Sequence, residues 1–422
     1  MNSVSICEIE KIIPIYKNGI EAERIEVVRV KTGDGESLQY DIVVGKNLYN
    51  IGDNVVYIQP DYCIPQTNVF IEYHFPGGDA SRSALGKKGR VRAIKFNFQF
   101  KDDFNPIFSC GIILPLIGEI KETVDKCEDG NLQEAFFVTK YVSEDSLDAS
   151  QPSGNSEDFP SFLYKTDETT IQNCKRNVDR CEDEILIFSI KKDGSSLTQY
   201  YVDEEIQGVC SREKKKSLDQ TYITGYKNGD VVLHRYFQKD TQVLGWFDDS
   251  TQAFYTDEEA ENLFEPISII RKDAWVDTVN KHGYYKKFVD YCKERNLKLA
   301  LRGELIGQGN KGSGNKLNMD AKTSESDVYW FGVDDLTSGH SKRLHYADEY
   351  NLKRIAEELN LKYAEPVLEG KFTYAEIIAK CKEIFQEIKE KTGQIIEGIV
   401  IRTKNSNKLS CKFINPEYDS KS

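Results

Sequence analysis

Over its first 118 residues the chain offers short β-rich runs, "RIEVVRV", "YDIVVG", "NVVYIQ", "RVRAIKFNFQF" and "GIILPLI", broken by Gly, Asp and Pro. No convincing helical periodicity interrupts them, so this half can bury its apolar residues only in a sheet that closes or stacks on itself, a small barrel or sandwich. Within "IKFNFQF", Ile94, Phe96, Phe98 and Phe100 alternate with Lys95, Asn97 and Gln99. Such alternation gives a strand one face for a core and one for solvent or a ligand. Just upstream, Lys87, Lys88, Arg90 and Arg92 form the densest basic cluster of this half.

From 119 to 158 the sequence turns acidic and polar, ending in "SEDSLDASQPSGNSEDFP". So few apolar residues cannot offset the entropy of ordering, and a flexible linker is expected. From 159 to 422, strand-like runs ("EILIFSI", "LKLALRGELIG", "DVYWFGV", "IIEGIVIRT", "KLSCKFI") mix with amphipathic helices. Tyr285, Phe288, Val289 and Cys292 make one helical stripe, and Leu352, Ile355, Ala356 and Leu359 another. A capping box from Thr373 to Glu376 opens a third helix that buries Ile377, Ile378, Cys381, Ile384, Phe385 and Ile388. The expected class is α+β, a domain over 1–118 and a second over 159–422, without internal repeats.

Composition narrows the setting. With 422 residues and 39% hydrophobic content, two or three cores are affordable. No window approaches the roughly 18 consecutive apolar residues of a membrane span, and "MNSVSICEIEKIIPIY" lacks a leader pattern, so a soluble, cytoplasmic protein is expected. The ten cysteines contain no C-x-x-C pair and the five histidines have no zinc-ligand spacing, which predicts reduced, mostly buried thiols. A net charge of −13 excludes a broad cationic coat for nucleic acid but leaves room for local basic patches.

The chemistry centres on "FSIKKDGSSLTQYY", where Lys191 ends an apolar run and enters an Asp-Gly turn. A lysine held at the edge of a core, its pKa lowered by desolvation and neighbouring cations, is what an amine nucleophile requires. From a reference pKa of about 10.4, only about one lysine in 2,500 is neutral at pH 7, so nearby positive charge or a metal is needed. K-x-D-G alone is a weak signal in a chain that is 30% charged. Further along, in order, come Arg212 in "CSRE", Glu304 in "LRGELIG", Phe331 in "VYWFGV", Glu397 in "IEGIVIR" and Lys412 in "KLSCKFINPEY". Glu397, alternating with Ile399 and Ile401, needs a metal or lysine partner if buried. Trp330 and Phe331 lie in an apolar strand, where an aromatic is more often core than platform. Arg212 opens "REKKKS", either a solvated loop or a docking surface for phosphates.

This ordered set resembles the nucleotidyltransferase motifs of the covalent ligase and capping-enzyme superfamily. With "FPSFLYKTDETTIQN", "KKDGSS", "RGELIGQG" and "GRVRAIKFNFQF…SCGIILPL" added, the chain is similar to the Deinococcus-type ATP-dependent RNA ligases. The resemblance implies an N-terminal OB-like β-barrel, then an ATP-grasp-like adenylyltransferase domain of antiparallel sheets with flanking helices. It implies that Lys191 attacks the α-phosphate of ATP, that lysyl-AMP passes AMP to an RNA 5′-phosphate, and that a 3′-hydroxyl displaces AMP. Glu304 would hold the ribose, Phe331 stack on adenine, Glu397 organise a hydrated Mg²⁺ or Mn²⁺, and Lys412 contact the α-phosphate. Asp193 would assist metal or lysine, Arg212 the 5′-phosphate end, and Ile190 and Gly194 would complete the nucleotide pocket. The implied partners are RNA ends, extending to RNA/DNA hybrid duplexes, with no membrane and a monomeric state.

Relatives often carry glutamate where Ile190 stands and arginine where Thr170 stands, which implies altered recognition. The last motif usually offers a second lysine, whereas Ser410 and Ile414 flank Lys412, leaving Lys404 or Lys408 to substitute. "GQGNKG" (307–312) matches a dinucleotide fingerprint, but the polar residues after it provide no helix. "VVLHRYF" lacks the aspartate of a kinase catalytic loop. The rivals are a capping guanylyltransferase, which carries a further barrel after the last motif, and a catalytically inactive RNA binder.

Overall fold

The run Val55–Ile58 shows no alternation because both faces of its strand are covered: Val55 and Tyr57 enter one cluster, Val56 and Ile58 another. The strand belongs to a five-stranded antiparallel, barrel-like sheet ordered Ile112–Pro115, Asn54–Ile58, Val4–Ile13, Ile25–Thr32, Ile42–Gly45. The computed structural model describes residues 3–32, 40–101, 106–127, 130–141, 157–165, 168–219, 221–238, 243–270, 273–307 and 325–420. "IKFNFQF" contributes the short strand Ile94–Phe96, paired with Ile107–Ser109, while Phe98 and Phe100 pack on Ile15, Ala22 and Val27.

The acidic segment expected to be a linker from 119 is folded as far as 141. Helices Gly118–Asp125 and Leu132–Ala135 and the strand Thr139–Lys140, paired with Tyr62–Cys63, follow the sheet. Leu132, Phe136 and Val138 close the cluster around Val56, Ile58 and Phe70. Composition misjudged this stretch because a few well-spaced apolar residues suffice where a preformed sheet supplies the rest of the core. The "GQGNKG" segment beyond Gly307 lies outside the described residues.

The second half is built on two facing, mostly antiparallel sheets. The first, seven-stranded, is ordered Glu157–Asp158, Lys214–Lys216, Gln207–Cys210, Ser195–Tyr201, Leu299–Ile306, Asp327–Asp335, Lys342–Arg343. Its outer face buries Leu197, Leu301, Leu305 and Trp330 under the helices Ala274–Lys281, Tyr284–Glu294 and Leu352–Leu359. The second is ordered Thr169–Thr170, Ser410–Ile414, Gly398–Thr403, Leu186–Lys191, Pro366–Gly370. It buries Phe188, Ile399, Ile401 and Phe413 under the helix Tyr374–Thr392. That helix starts at the expected Thr373–Glu376 capping box and ends at Gly393, whose φ of +70° suits glycine. All three expected helical stripes supply core residues.

Between Lys214–Lys216 and the Ala274–Lys281 helix, a separate five-stranded sheet spans Thr221 to Ile270, with its own core of Tyr226, Leu233, Trp246 and Ala260. Among the described residues no helix is long and apolar enough to cross a membrane.

Candidate active site

The two sheets turn their polar faces toward each other, and strand alternation decides what lines the cleft. On Leu186–Lys191, Leu186 and Phe188 enter the core with Ile190 packed against it, which leaves Ile187, Ser189 and Lys191 for the cleft. Ile190, expected in the nucleotide pocket, therefore has its side chain on the opposite face. The register sets Lys191 beside Gly398 and then Ile414, and Ser189 beside Val400 and then Lys412. Lys412 thus lies on the cleft face, one row from Lys191. Ile414 occupies the row of Lys191 itself.

Lys191 Nζ donates to Glu397 Oε2 at 2.5 Å, with side-chain exposures of 25% and 18%. Glu397 stands just before its expected strand, which begins at Gly398. A Cβ at Gly398 would lie 2.5 Å from the Phe413 carbonyl oxygen, so only glycine lets the neighbouring strand approach. Asp193 accepts a hydrogen bond from the Tyr418 hydroxyl. Gly194 is equally constrained: a Cβ there would meet the Leu305 carbonyl oxygen at 2.3 Å and Glu304 Cγ at 2.8 Å. Its close approach lets its N–H donate to Glu304.

Charge at this end is unbalanced. Burial pushes Glu304 up to about 8, aided by the negative charges of Glu397 and Asp193 and opposed by Lys191. Asp193 rises to about 7 by burial and by Glu397, against the Tyr418 hydrogen bond and Lys191. For Lys191, burial favours the neutral amine, but Glu397, Glu304 and Asp193 outweigh it and hold the pKa above its ordinary value. The expectation that cations depress it is corrected: the groups around the ammonium are anions, and the depressing charge must arrive with a ligand. The acids suit a divalent ion by donor chemistry. Among the described residues no three potential ligands converge to grip one directly, so it would keep most of its water.

Further along the sheet the cleft opens into a pocket of about 360 Å³ lined in part by Ser189, Phe331, Arg343, Tyr346, Arg402 and Ser410. Phe331 reaches it through a β-bulge. Gly303 pairs with Trp330 and Arg302 with Gly332, so Phe331 is the extra residue and has no partner across the ladder. Trp330 is fully buried in the outer core, and Phe331, half-buried, faces the cleft. The Phe331 carbonyl accepts from Arg402 Nη1 at 3.1 Å, and the Arg402 guanidinium lies 5.9 Å from the Phe331 ring.

Behind Phe331 runs a paired ionic network. Arg402 Nη2 donates to Glu168 at 2.6 Å, and Ser410 donates to the other carboxylate oxygen. Burial would raise Glu168, but Arg402 and Ser410 lower it to about 2. Arg302, 1% exposed, donates through Nε to Asp334 at 2.7 Å and through Nη2 to Ser341 at 3.2 Å. Arg343 reaches the other Asp334 oxygen at 3.1 Å.

Arg212 sits in the turn after Gln207–Cys210, 55% exposed and 3.6 Å from Glu213. The register carries this turn toward Ser196, the partner of Glu304, and so toward the Lys191 end. Lys214 pairs with Asp158 at 2.8 Å, and Lys216 with Asp273 at 3.3 Å beneath Trp275. Two lysines of "REKKKS" are thereby committed to internal partners. Lys404 and Lys408, expected as stand-ins for a phosphate contact, pair instead with Glu369 and Glu184.

Sequence reasoning missed Glu168, Arg302, Arg402 and Tyr418. Three of these had a signal. Glu168 lies within "TDETTIQN", and strand parity puts Arg302 on the face of Glu304 and Arg402 on that of Lys412. Tyr418 had none.

Two clasping, mostly antiparallel sheets, with a lysine held among acids at one end and a pocket beside an aromatic at the other, define a nucleotidyltransferase of the ligase type. The chain belongs to the RNA ligase family, whose model matches residues 184–414. A Naegleria gruberi RNA ligase variant solved with ATP and manganese superposes with a TM-score of 0.63 at 19% identity, over 100% of this chain and 99% of that one. A variant with AMP and manganese gives 0.62 at 19%, over 100% and 98%. The same ligase with pyrophosphate gives 0.60 at 18%, over 100% and 99%. At these identities the likeness establishes the fold. No curated protein gives a significant match.

Proposed function

We propose that this RNA ligase uses ATP and a divalent metal, with Lys191 as the amine that becomes adenylylated. The observation that carries the reading is the convergence of Lys191, Glu397, Glu304 and Asp193, four side chains spread over more than 200 residues, at one end of the cleft. Similar folds hold ATP, AMP and manganese, which supports the nucleotide and the metal as ligands here.

In this reading Glu397, with Asp193 and Glu304 close by, holds a hydrated Mg²⁺ or Mn²⁺. When bound, such an ion supplies positive charge that offsets the negative charge gathering on phosphoryl oxygens. Glu397 is also the group placed to take the Lys191 proton, being 2.5 Å from Nζ. Lys191 Nζ then attacks the α-phosphorus, the bond to pyrophosphate breaks, and AMP remains on the lysine. Glu304 orients the ribose, Phe331 stacks on adenine, Lys412 faces the α-phosphate, and Arg212 receives the RNA 5′-phosphate. An RNA 5′-phosphate takes AMP from Lys191, and a 3′-hydroxyl displaces it to seal the strand.

We read the barrel-like sheet as the OB module of a Deinococcus-type ligase, with RNA ends, extending to those of RNA/DNA hybrid duplexes, as substrates. A monomer in the cytoplasm suits ten free cysteines. The test is incubation with labelled ATP and Mg²⁺ followed by intact-mass measurement. Addition of AMP, abolished in Lys191→Ala, supports the reading. A GMP adduct or none refutes it.

A further inference from the structure

The short helix Pro416–Asp419 touches three things at once. At its start, the Asn415 N–H donates to the Glu397 carbonyl at 2.9 Å and Asn415 Nδ2 to the Ile396 carbonyl at 3.1 Å. Next, the Tyr418 hydroxyl donates to Asp193 Oδ2. The adjacent Asp419, 6% exposed, turns the other way. Its Oδ1 accepts from Arg90 Nη2 at 2.9 Å and its Oδ2 from the Ala93 N–H at 2.7 Å, both in the N-terminal half.

Arg90 is itself fixed, donating to Asp61 at 2.6 Å and lying 4.7 Å over the Tyr141 ring. The densest basic cluster of the N-terminal half thus commits Arg90 to a joint. A second bond, Gln59 Nε2 to Asn173 Oδ1 at 3.0 Å, crosses between the halves nearby. Docking of the N-terminal half therefore sets the position of Asp419, and one residue away that fixes the hydroxyl that holds Asp193.

We propose that Tyr418 is a positioning residue for nucleotidyl transfer, holding Asp193 beside Lys191, and that Asp419 and Arg90 make this hold depend on docking of the N-terminal half. The proposal rests on the assignment of Lys191 as nucleophile. Asp193 lies between a buried tyrosine on one side and the Lys191–Glu397 pair on the other. Without the hydroxyl, its carboxylate can rotate toward Nζ and draw the amine off the line of attack on a bound α-phosphate. A side chain that acts this way changes the rate of the bound complex more than ATP affinity, because it makes no contact with nucleotide.

The experiment is single-turnover adenylylation of the full chain with labelled ATP and Mg²⁺, in wild type, Tyr418→Phe, Arg90→Gln and the double variant, each with its melting temperature. Adduct formation by the wild type establishes the underlying reading; its absence would overturn that reading independently of the variants. The expected result is that Tyr418→Phe lowers the rate at saturating ATP about tenfold, the loss of one hydrogen bond to a charged group. The half-saturating ATP concentration should stay within about twofold. Arg90→Gln should slow the step severalfold from the distant half, and the double variant should be no slower than Tyr418→Phe. A wild-type rate in Tyr418→Phe overturns the positioning role, as does a loss expressed in half-saturation with a matching fall in melting temperature. Single effects that multiply in the double variant overturn the link to the N-terminal half.

Discussion

The two ends of the cleft handle charge in opposite ways. Around Phe331, three guanidinium groups, Arg302, Arg343 and Arg402, meet two carboxylates, Asp334 and Glu168, and serine hydroxyls take up further hydrogen bonds. Around Lys191, three carboxylates face one ammonium, and two of them are pushed up to about 7 and 8. At the first end every charged group has a hydrogen-bonded partner, whereas the second relieves its excess of carboxylates by holding protons or by taking up a cationic ligand. On the proposed reading, a rigid paired scaffold would fix where a base stacks, and metal and nucleotide binding at the acidic end would switch the lysine from ammonium to amine.

The sharpest way to break this contrast is to remove one member from each end. Lys191→Ala should leave the fold intact and reduce AMP transfer at least about 10⁴-fold, roughly 5 kcal/mol at 1.36 kcal/mol per decade. Intact mass reads it directly, and residual adduct would move the nucleophile to another lysine. Arg302→Ala should do the reverse. Asp334, 3% exposed, would keep only Arg343, and a broken buried pair costs about 3–5 kcal/mol. Denaturant unfolding measures that loss. A stability change below 1 kcal/mol would show that the network is decorative.

The contrast also explains what could be read from the sequence. Lys191, Glu304, Glu397 and Lys412 were legible because each ends or lines a strand whose parity and motif order are written in adjacent residues. The α+β class, the barrel-like first half and the capped helix at Tyr374 were legible from periodicity alone. The paired end was not. Arg302 looks like any arginine in a buried strand until Asp334 and Ser341, more than 30 residues away, are brought to it. Tyr418 depends on a contact spanning 225 positions. The folded stretch 118–141 escaped notice because its three anchors, Leu132, Phe136 and Val138, count for little in a compositional average. The cluster Lys87–Arg92 shows the complementary limit: local charge density does not reveal that Arg90 is committed to Asp61 and Asp419.

Phe331 stands at the paired end, so it tests whether the bulge serves the nucleotide or only the packing. Phe331→Ala should raise the half-saturating ATP concentration about 30-fold, close to 2 kcal/mol of base stacking. The Arg402 bond to its main-chain carbonyl survives this change, so Arg402 and Glu168 should stay paired. Titration of ATP in the adenylylation assay measures the effect, and Phe331→Tyr should restore most of the affinity. An unchanged half-saturation would assign Phe331 to packing.

The smallest effect is a pH slope of opposite sign at the two ends. Glu168, lowered to about 2 in the folded chain, adds stability that is present above its ordinary pKa near 4.3 and lost as pH falls toward 2. Glu304 is raised to about 8, so between pH 5 and 8 the folded protein holds a proton that the unfolded chain has released. Stability must then fall as pH rises, Glu304 contributing at most about 1.4 kcal/mol between pH 6 and pH 7 and Asp193, raised to about 7, adding to the same fall. Glu304→Gln, which cannot ionise, should reduce this slope while leaving the acid loss near pH 3 in place, and Glu168→Gln should do the converse. Unfolding midpoints at a series of pH values separate the two. If Glu304→Gln retains the full neutral slope, the acids around Lys191 are not in mutual conflict, and the need for a metal to release the amine loses its physical basis.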